Sequence, residues 1–458
     1  MLPDYSVNHV PGLYRGPPNT GCCSHGDRGI VNQEGIECGH RAAKPCLIRS
    51  QLAPGLGPPV ALLSRSSSIV RYSVLFVAIG VFATETAAQR LDPVALQRLD
   101  SAARAAHSDA LVVLQHGQVV WSWSTSSVAT PIPVMSVTKS IANLAIGRLL
   151  TTGRLHSLDT PLATFFPQWQ GGPKATITLR HVMEHTSGLR HNDAWERSPD
   201  RLRLALDAPL DDAPGTRYFY NNTAVELVSG VVARVTGRPL DAFVAEELLQ
   251  PLGIRTFRWS RDSAGLAGAY AGLELLPADL ATIGQFVLQR GTWQGVPLIR
   301  ADWFDYPAAP RDEPRAALLW HGIPSWLALV IDDAQLAILV RAGVDSGFLR
   351  EAQRVRGRFT SIPALTSALA AVFGPLFYEI LPMHLSASRQ TLYRVEAGPM
   401  IGLAALGYLG QQLVVLPAPG LVAVRMIRSR TDFNAATDSF DEFPALVRAL
   451  VPSHRLAR

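Results

Sequence analysis

The first regular pattern in the chain is a helix followed by two strands. Apolar residues at helical spacing predict a helix over residues 93–106. Residues 110–114 and 119–123 are short runs rich in β-branched and aromatic side chains, which are typical of strands. A short segment, 115–118, contains a glycine and separates the two runs, so we expect a β-hairpin here.

A strongly apolar helix is predicted next, from Ser136 to about Leu150. Two threonines and Gly153 follow it and are expected to end it. Beyond this helix, residues 155–250 are predicted to form a mainly helical region with loops. Further helices are predicted over residues 224–235, 239–249, 276–288 and 440–450.

The last predicted strands lie near the other end of the chain, at residues 412–416 and 421–427. Strands at both ends with helices between them predict an α/β (α+β) fold. It would contain one antiparallel sheet built from both ends of the chain, flanked by helices, with an inserted mainly helical region. The Ser136 helix would lie at the junction, where clefts tend to form. Residues 305–395 give mixed signals, and we interpret them as an insertion near that cleft.

The first 68 residues differ in composition from the rest of the chain. They are rich in Gly, Pro, Ser and Cys and show no helix or strand period, which is typical of a disordered leader or of sequence upstream of the true start. All four cysteines lie there, together with His25 and His40, but their spacing matches no usual zinc pattern. We therefore predict no metal site.

Residues 69–88 have the layout of a secretory signal peptide. Arginines precede an apolar run of about twelve residues, and small residues follow it. The run is short for a membrane span, which needs about 20 apolar residues. We expect translation to start near Val70 and signal peptidase to cut near Ala88. The mature protein, residues 89–458, would then be exported to the periplasm or secreted, with no stable membrane span.

The overall composition narrows the classes of function. The chain is 48% hydrophobic and 17% charged, so it can bury a large core and is not disordered overall. Its net charge of +5 is modest and shows no dense basic run, which argues against nucleic-acid binding. Nearly all of its cations are arginines, and the chain has only three lysines, Lys44, Lys139 and Lys174.

One of these lysines follows a serine at helical spacing. Ser136 and Lys139 occupy positions i and i+3 at the start of the apolar helix, so both side chains lie on one face. A serine is a weak nucleophile until a base takes its proton, and a lysine can serve as that base when it is neutral. Arginine keeps its proton, so a lysine retained in an arginine-rich chain favours a role for a neutral amine.

The motifs together resemble a known group of enzymes. Ser136 to Lys139 reads S-x-x-K, and Tyr220 to Asn222 reads Y-x-N. In this order the motifs resemble the serine β-lactamase and penicillin-binding-protein superfamily, in particular the branch with class C β-lactamases, D-Ala-D-Ala carboxypeptidases and related esterases. The resemblance covers roughly residues 95–450 and implies a β-lactamase/transpeptidase-like fold. Three flanking stretches are also similar: residues 178–189, 214–217 and 407–411.

The resemblance implies a role for each motif residue. Ser136 would attack a carbonyl carbon and form an acyl-enzyme. Lys139 and Tyr220 would act together as the general base, since a phenol beside an ammonium loses its proton more readily. Asn222 would hydrogen-bond Lys139 and the acyl amide of the substrate. The oxyanion would be held by the backbone N–H groups of Ser136 and Tyr408.

The chain departs from the family at the third motif. The family has Lys or His, a small residue and Gly on the strand beside the serine, whereas this chain has Ala405, Leu406 and Gly407. The glycine that keeps the strand close to the substrate is present, but the cation that helps to bind a substrate carboxylate is absent. This favours an ester or small-amide hydrolase, without a cofactor, over an efficient β-lactamase or D-Ala-D-Ala carboxypeptidase. The expected partner is a small ester, amide or peptide-like substrate.

Two further interpretations belong to other classes. His181, Glu184 and His185 read H-x-x-E-H, which is a metallopeptidase pattern. In the resembling family this stretch is structural, so a zinc site is not our prediction. The other alternative is a non-catalytic protein that binds cell-wall peptides, and the intact S-x-x-K and Y-x-N motifs argue against it.

Overall fold

A computed structural model describes residues 91–192, 194–305, 316–388 and 390–452. The predicted leader and signal peptide lie outside these residues. Within the described part, no single helix is long and apolar enough to cross a bilayer. One pair, Ile362–Phe373 with Phe377–Leu385, passes that test only when joined, and it is bent by 83°.

The strands begin with the predicted hairpin and end with the predicted C-terminal pair. In chain order the described strands are β1 (Ala110–Gln115), β2 (Gln118–Ser124), β3 (Ile132–Pro133), β4 (Phe257–Trp259), β5 (Leu273–Leu275), β6 (Thr292–Trp293), β7 (Val296–Pro297), β8 (Ala316–Ala317), β9 (Trp320–Pro324), β10 (Leu327–Ile331), β11 (Gly357–Phe359), β12 (Arg394–Ala397), β13 (Met400–Gly407), β14 (Gln411–Leu416) and β15 (Leu421–Met426).

The helices occupy the middle of the chain and its two ends. In chain order the described α-helices are α1 (Pro93–Ala105), α2 (Val137–Thr151), α3 (Leu179–Met183), α4 (Arg201–Asp207), α5 (Asn222–Thr236), α6 (Leu240–Val244), α7 (Pro277–Leu288), α8 (Asp333–Arg341), α9 (Ser346–Ala352), α10 (Ile362–Phe373), α11 (Phe377–Leu385), α12 (Ala435–Asp438) and α13 (Phe443–Ala449). A π-helical turn, Ala245–Leu249, continues α6.

The main sheet has seven strands in the order β2-β1-β15-β14-β13-β9-β8. All of its pairings are antiparallel, and β1 from the start of the fold lies beside β15 from its end. The predicted antiparallel sheet built from both ends of the chain is therefore confirmed. Every residue of β1, β14 and β15 is buried, because these central strands are covered on both faces.

Helices cover both faces of this sheet, and the core on one face is larger than the core on the other. On one face, α1 and α13 pack together over the alternate residues Leu111 and Val113 of β1. On the other face, α2 and α7 lie against the sheet, and Val112 and Leu114 join the larger core that extends through α5. The alternation of side chains along β1 divides the interior into these two cores.

The stretch 305–395, predicted to be an insertion, contains two kinds of structure. Strands β8 and β9 belong to the main sheet, where β9 pairs with β13. Beyond them, β10, β11 and β12 form a separate sheet, and helices α8 to α11 pack against it around their own apolar core. The apolar run over 327–340 divides at Asp332, whose carboxylate caps α8 by accepting from Gln335 N at 2.9 Å.

Candidate active site

Ser136 lies at the junction of the sheet and α2, at the N-cap position of the helix. Met135, just before it, has φ of +52°, a left-handed conformation that is uncommon in residues other than glycine and that clusters at functional sites. Thr138 Oγ1 stabilises this turn by donating a 2.7 Å hydrogen bond to Met135 O. The serine hydroxyl is thus presented at a helix N-terminus, where backbone N–H groups favour negative charge.

Lys139 points from the first turn of α2 towards this serine. Its Nζ donates to Ser136 Oγ at 2.8 Å and to the carbonyl oxygen of Tyr270 at 3.0 Å. The residue is only 3% exposed, and its ammonium also lies 4.9 Å from the centre of the Tyr220 ring. The amine is thus enclosed, with the serine hydroxyl and a backbone carbonyl as its hydrogen-bond partners.

Tyr220 approaches the serine from the segment that leads into α5. Its hydroxyl lies 3.2 Å from Ser136 Oγ, within hydrogen-bond distance. Its ring packs on His185, with 4.6 Å between ring centres, and Asn221 N donates to His185 Nδ1 at 3.2 Å. These contacts fix the position of the phenol. The structure therefore brings Ser136, Lys139 and Tyr220 together, while their catalytic roles stay predictions.

Asn222, the fourth predicted catalytic residue, is the first residue of α5. It is buried, and its Oδ1 accepts no hydrogen bond from the described residues. A buried amide oxygen without a donor is costly, so it is available to a ligand or to a water molecule. The predicted hydrogen bond from the Lys139 ammonium to this oxygen is therefore not formed in the structure, and Nζ donates to Ser136 Oγ and Tyr270 O instead. The predicted role of Asn222 towards the substrate stays a prediction.

Gly407 ends β13 directly against the turn that carries the serine. A Cβ atom built on this glycine would lie 2.5 Å from Val134 O and 3.2 Å from Met135 Cβ. Real Cβ atoms do not approach backbone oxygens so closely, so the strand can lie here only with glycine at this position. This close approach brings the backbone around Tyr408, the predicted oxyanion donor, next to the Ser136 turn.

Replacing Gly407 with alanine is expected to push β13 away from the Ser136 turn. A displacement of about 1 Å in an active site costs on the order of 100-fold in rate, so we expect kcat/KM for an ester to fall about 10- to 100-fold. Steady-state kinetics on the purified variant measure this. Gly172→Ala is the matched control, because its Cβ would make only an ordinary contact, 3.9 Å from Trp169 O. Equal activity of the two variants would contradict the packing argument.

Arg425 of β15 stabilises the turn after Gly407 through hydrogen bonds to its backbone. Tyr408 begins this turn, is 50% exposed, and places its ring 5.9 Å from that of Phe433. The guanidinium of Arg425 is fully buried and donates to the carbonyl oxygens of Leu409 and Gly410, each at 2.8 Å. Burial lowers the pKa of Arg425 to about 10, so it remains charged at neutral pH. Hydrogen bonds from a buried cation are strong, and they keep the turn in place.

The pocket beside Ser136 is narrow and is lined by polar, aromatic and aliphatic side chains. Among the described residues that line it there is no arginine. Ala405, at the position of the family's cation, is fully buried in the core. The lining residues are Ser136, Lys139, Ser140, Met183, His185, Tyr218, Tyr220, Ala316, Leu319, Trp320, His321 and Leu406.

The histidines of the H-x-x-E-H pattern have structural contacts. His181 Nδ1 accepts from Thr178 N at 3.2 Å as part of the N-terminal cap of α3. Glu184 lies 3.8 Å from Arg180, and burial raises the pKa of Glu184. His185 packs beneath Tyr220. Within the described parts of the chain, no group of three His, Cys, Asp or Glu residues is arranged to hold a metal ion.

Several residues of the site were not singled out in the sequence. Tyr270, Trp320 and His321 reach it from loops and from β9, and no motif marks them. Tyr218 also lines the pocket, and it lies between the stretch 214–217 and the Y-x-N motif that begins at Tyr220. Only contacts between distant segments identify the others.

Comparisons with known proteins identify the family of the chain. A family model described as beta-lactamase matches residues 93–338, more than half of the chain. Esterase EstB of Burkholderia gladioli is 30% identical over 216 residues, which cover 37% of this chain and 54% of the esterase. A D-aminopeptidase of Cereibacter sphaeroides is 31% identical over 198 residues, covering 36% of this chain and 37% of that protein. The chain thus spans about half or less of the length of these relatives.

Solved structures show the same fold. A penicillin-binding protein homologue from Caulobacter crescentus superposes with a TM-score of 0.50 at 15% identity, covering 79% of this chain and 99% of that one. The site and the fold define the class of serine β-lactamases and penicillin-binding proteins. The chain belongs to the beta-lactamase family, which confirms the resemblance predicted from the motifs and supports the predicted class of serine hydrolase.

Proposed function

We propose that the protein is an exported serine hydrolase that cleaves small esters through an acyl-enzyme on Ser136. The observation that carries the preference for esters is the pocket. It is narrow, no arginine is among the described residues that line it, and a fully buried alanine stands where the family has its carboxylate-binding cation. A short acyl group without a carboxylate fits this pocket better than the bulky, anionic core of a β-lactam. The esterase EstB is among the similar proteins.

The reaction follows from three groups. Lys139 Nζ and Tyr220 Oη, at 2.8 and 3.2 Å, take the proton of Ser136 Oγ as it bonds to the carbonyl carbon. The oxyanion that forms is held by the backbone N–H groups of Ser136 and Tyr408. When the tetrahedral intermediate collapses, the bond to the alcohol breaks, and the same base returns the proton to the leaving oxygen. Water then hydrolyses the acyl-enzyme in the reverse order of proton transfers.

An amide or peptide substrate is the second candidate. It is favoured by the similarity to the D-aminopeptidase and by His321, which lines the pocket from β9 opposite Ala404. The imidazole of His321 can form a hydrogen bond with a peptide-like substrate. Turnover of D-alanine p-nitroanilide that exceeds turnover of the esters would support this candidate.

One experiment tests the proposal. The full chain is expressed in a bacterium, and protein from the periplasm or medium is purified and its intact mass measured. Rates are then compared for p-nitrophenyl acetate, butyrate and octanoate, for D-alanine p-nitroanilide and for a chromogenic cephalosporin. We expect kcat/KM to be highest for the acetate and lowest for the cephalosporin. Fast cephalosporin turnover would overturn the preference for esters, and a mass that includes residues 1–68 would overturn the predicted processing.

A further inference from the structure

A buried carboxylate lies one helical turn after Asn222, close behind Lys139. Glu226 on α5 is 1% exposed, yet the predicted reaction makes no use of it. Its Oε2 accepts from Ala269 N at 3.2 Å, and its Oε1 lies 3.2 Å from Arg201 Nε. Burying a charged group costs free energy unless the group is paired, so the burial of the Glu226 carboxylate needs an explanation.

Glu226 is connected to Lys139 through one segment of backbone. Residues 266–273, which we call the strap, run past both side chains. Ala269 N donates to Glu226, and one residue later Tyr270 O accepts from Lys139 Nζ at 3.0 Å. The position of the Tyr270 carbonyl, and with it the position of the amine, therefore depends on where Glu226 holds the strap.

The strap also makes hydrogen bonds to the turn that contains Ser136. Leu273 O accepts from Val134 N at 2.9 Å, two residues before Ser136. Leu273 N lies 3.4 Å from Thr138 Oγ1, on the first turn of α2. Strap and serine turn are thus joined at two points besides Lys139, so a shift of the strap moves nucleophile and amine together.

Other side chains hold the strap at neighbouring backbone groups, and one of them is also an acid, because Asp262 Oδ1 accepts from Leu266 N at 2.8 Å. Arg201 Nη2 donates to Leu266 O at 3.2 Å, and Trp259 Nε1 donates to Gly268 O at 3.0 Å. Ser229, on α5 one turn after Glu226, donates to Ala267 O at 2.7 Å. Of these two acids, Glu226 holds the strap at Ala269, directly before the Tyr270 carbonyl that contacts Lys139.

Charged side chains from three parts of the fold face Glu226. Arg201 comes from α4 and Asp262 from the loop before the strap, with 3.8 Å between Arg201 Nε and Asp262 Oδ2. Lys139 comes from α2, while the titratable rings of Tyr220 and Tyr270 face the amine. Burial raises the pKa of Glu226 to about 7, and the charges of Arg201 and Lys139 act in the opposite direction. Linkage is reciprocal, so the carboxylate in turn stabilises the ammonium form of Lys139.

We propose that Glu226 is a positioning residue that fixes Lys139 through the strap and, as a buried carboxylate, sets the pH at which the Ser136 nucleophile becomes active. This deepens the proposed function and rests on the same Ser136–Lys139 pair. It assigns a role in the pH dependence of the reaction to a residue that touches neither substrate nor nucleophile.

The test measures how fast Ser136 reacts with a fluorophosphonate between pH 5 and 9, followed by intact mass. This reaction needs an activated serine but no natural substrate, so its result is separate from ester turnover. Glu226→Gln removes the negative charge that Glu226 carries above its pKa of about 7, and this loss makes deprotonation of the nearby base easier. We expect the acid limb of the rate profile to move to lower pH by about half a unit or more. Ester kcat should also fall about tenfold with little change in KM.

Two variants separate charge from packing. Ser229→Ala removes a neutral hydrogen bond to the same strap and should keep the wild-type pH profile. Glu226→Asp keeps the charge but shortens the side chain, so kcat should fall while the acid limb stays in place. Coincident profiles for Glu226→Gln and wild type would overturn the proposal. If Glu226→Gln does not fold, as judged by circular dichroism, an unchanged kcat in Glu226→Asp overturns it instead. Wild-type protein that is phosphonylated but turns over no ester would count against the proposed function alone.

Discussion

Replacing Ser136 with alanine is expected to abolish ester turnover without unfolding the protein. Ser136 Oγ is the atom on which Lys139 Nζ and Tyr220 Oη converge, so no acyl-enzyme can form without it. Losing the nucleophile of a serine hydrolase costs on the order of 10⁴-fold or more in kcat. The side chain makes no capping hydrogen bond to α2, so the helix loses no cap.

Initial rates on p-nitrophenyl acetate and intact mass after exposure to a fluorophosphonate measure this loss. The variant should show neither turnover nor a mass increase, and its melting temperature should stay within about 4 °C of wild type. Turnover within tenfold of wild type would show that another residue is the nucleophile. If the wild-type protein folds, turns over no ester and binds cell-wall peptides, the binding-protein alternative would be favoured.

Replacing Lys139 with arginine is expected to be nearly as damaging. Arginine keeps its proton under all ordinary conditions, so it cannot accept the proton of Ser136. General-base catalysis contributes about 10² to 10⁴-fold, and we expect kcat to fall within that range. The larger guanidinium must also fit in the space of Lys139, a residue that is only 3% exposed and whose Nζ already contacts the Tyr270 carbonyl oxygen.

The chain offers a matched control for this variant. Lys174 is the other lysine in the described residues, and its Nζ donates to Leu206 O at 2.7 Å, outside the lining of the pocket. Lys174→Arg should keep turnover within about twofold of wild type, since it conserves the charge at a partly exposed site. The comparison is made by steady-state kinetics. If Lys139→Arg were as active as Lys174→Arg, lysine would not be the base.

The elements that carry strong local signals could be predicted from sequence. The hairpin β1–β2 and helices α1, α2 and α7 lie within one or two residues of their predicted bounds, because their apolar periodicity and their end signals agree. The S-x-x-K pair is likewise local, since three residues of helix place both side chains on one face. For such features the sequence neighbours are also the spatial neighbours.

The features that the sequence did not reveal depend on distant partners. Strands β8 and β9 are short, and they form because β13 offers an edge for pairing. Tyr270 reaches Lys139 through its backbone carbonyl, a contact that residue type cannot predict. Residues 305–395 gave mixed signals in part because Asp332 interrupts an apolar run, where it caps the helix that follows a strand.

The pairing of β1 with β15 constrains the order in which the protein can be assembled. Ala110 pairs with Met426, so nearly the whole chain must be available before the central strands can meet. Sheets that join the two ends of a chain close late and fold slowly, because a very long loop must be ordered first. The candidate site is completed only when Gly407 packs against the serine turn. The main sheet and the site therefore form only after residues near position 426 have been synthesised.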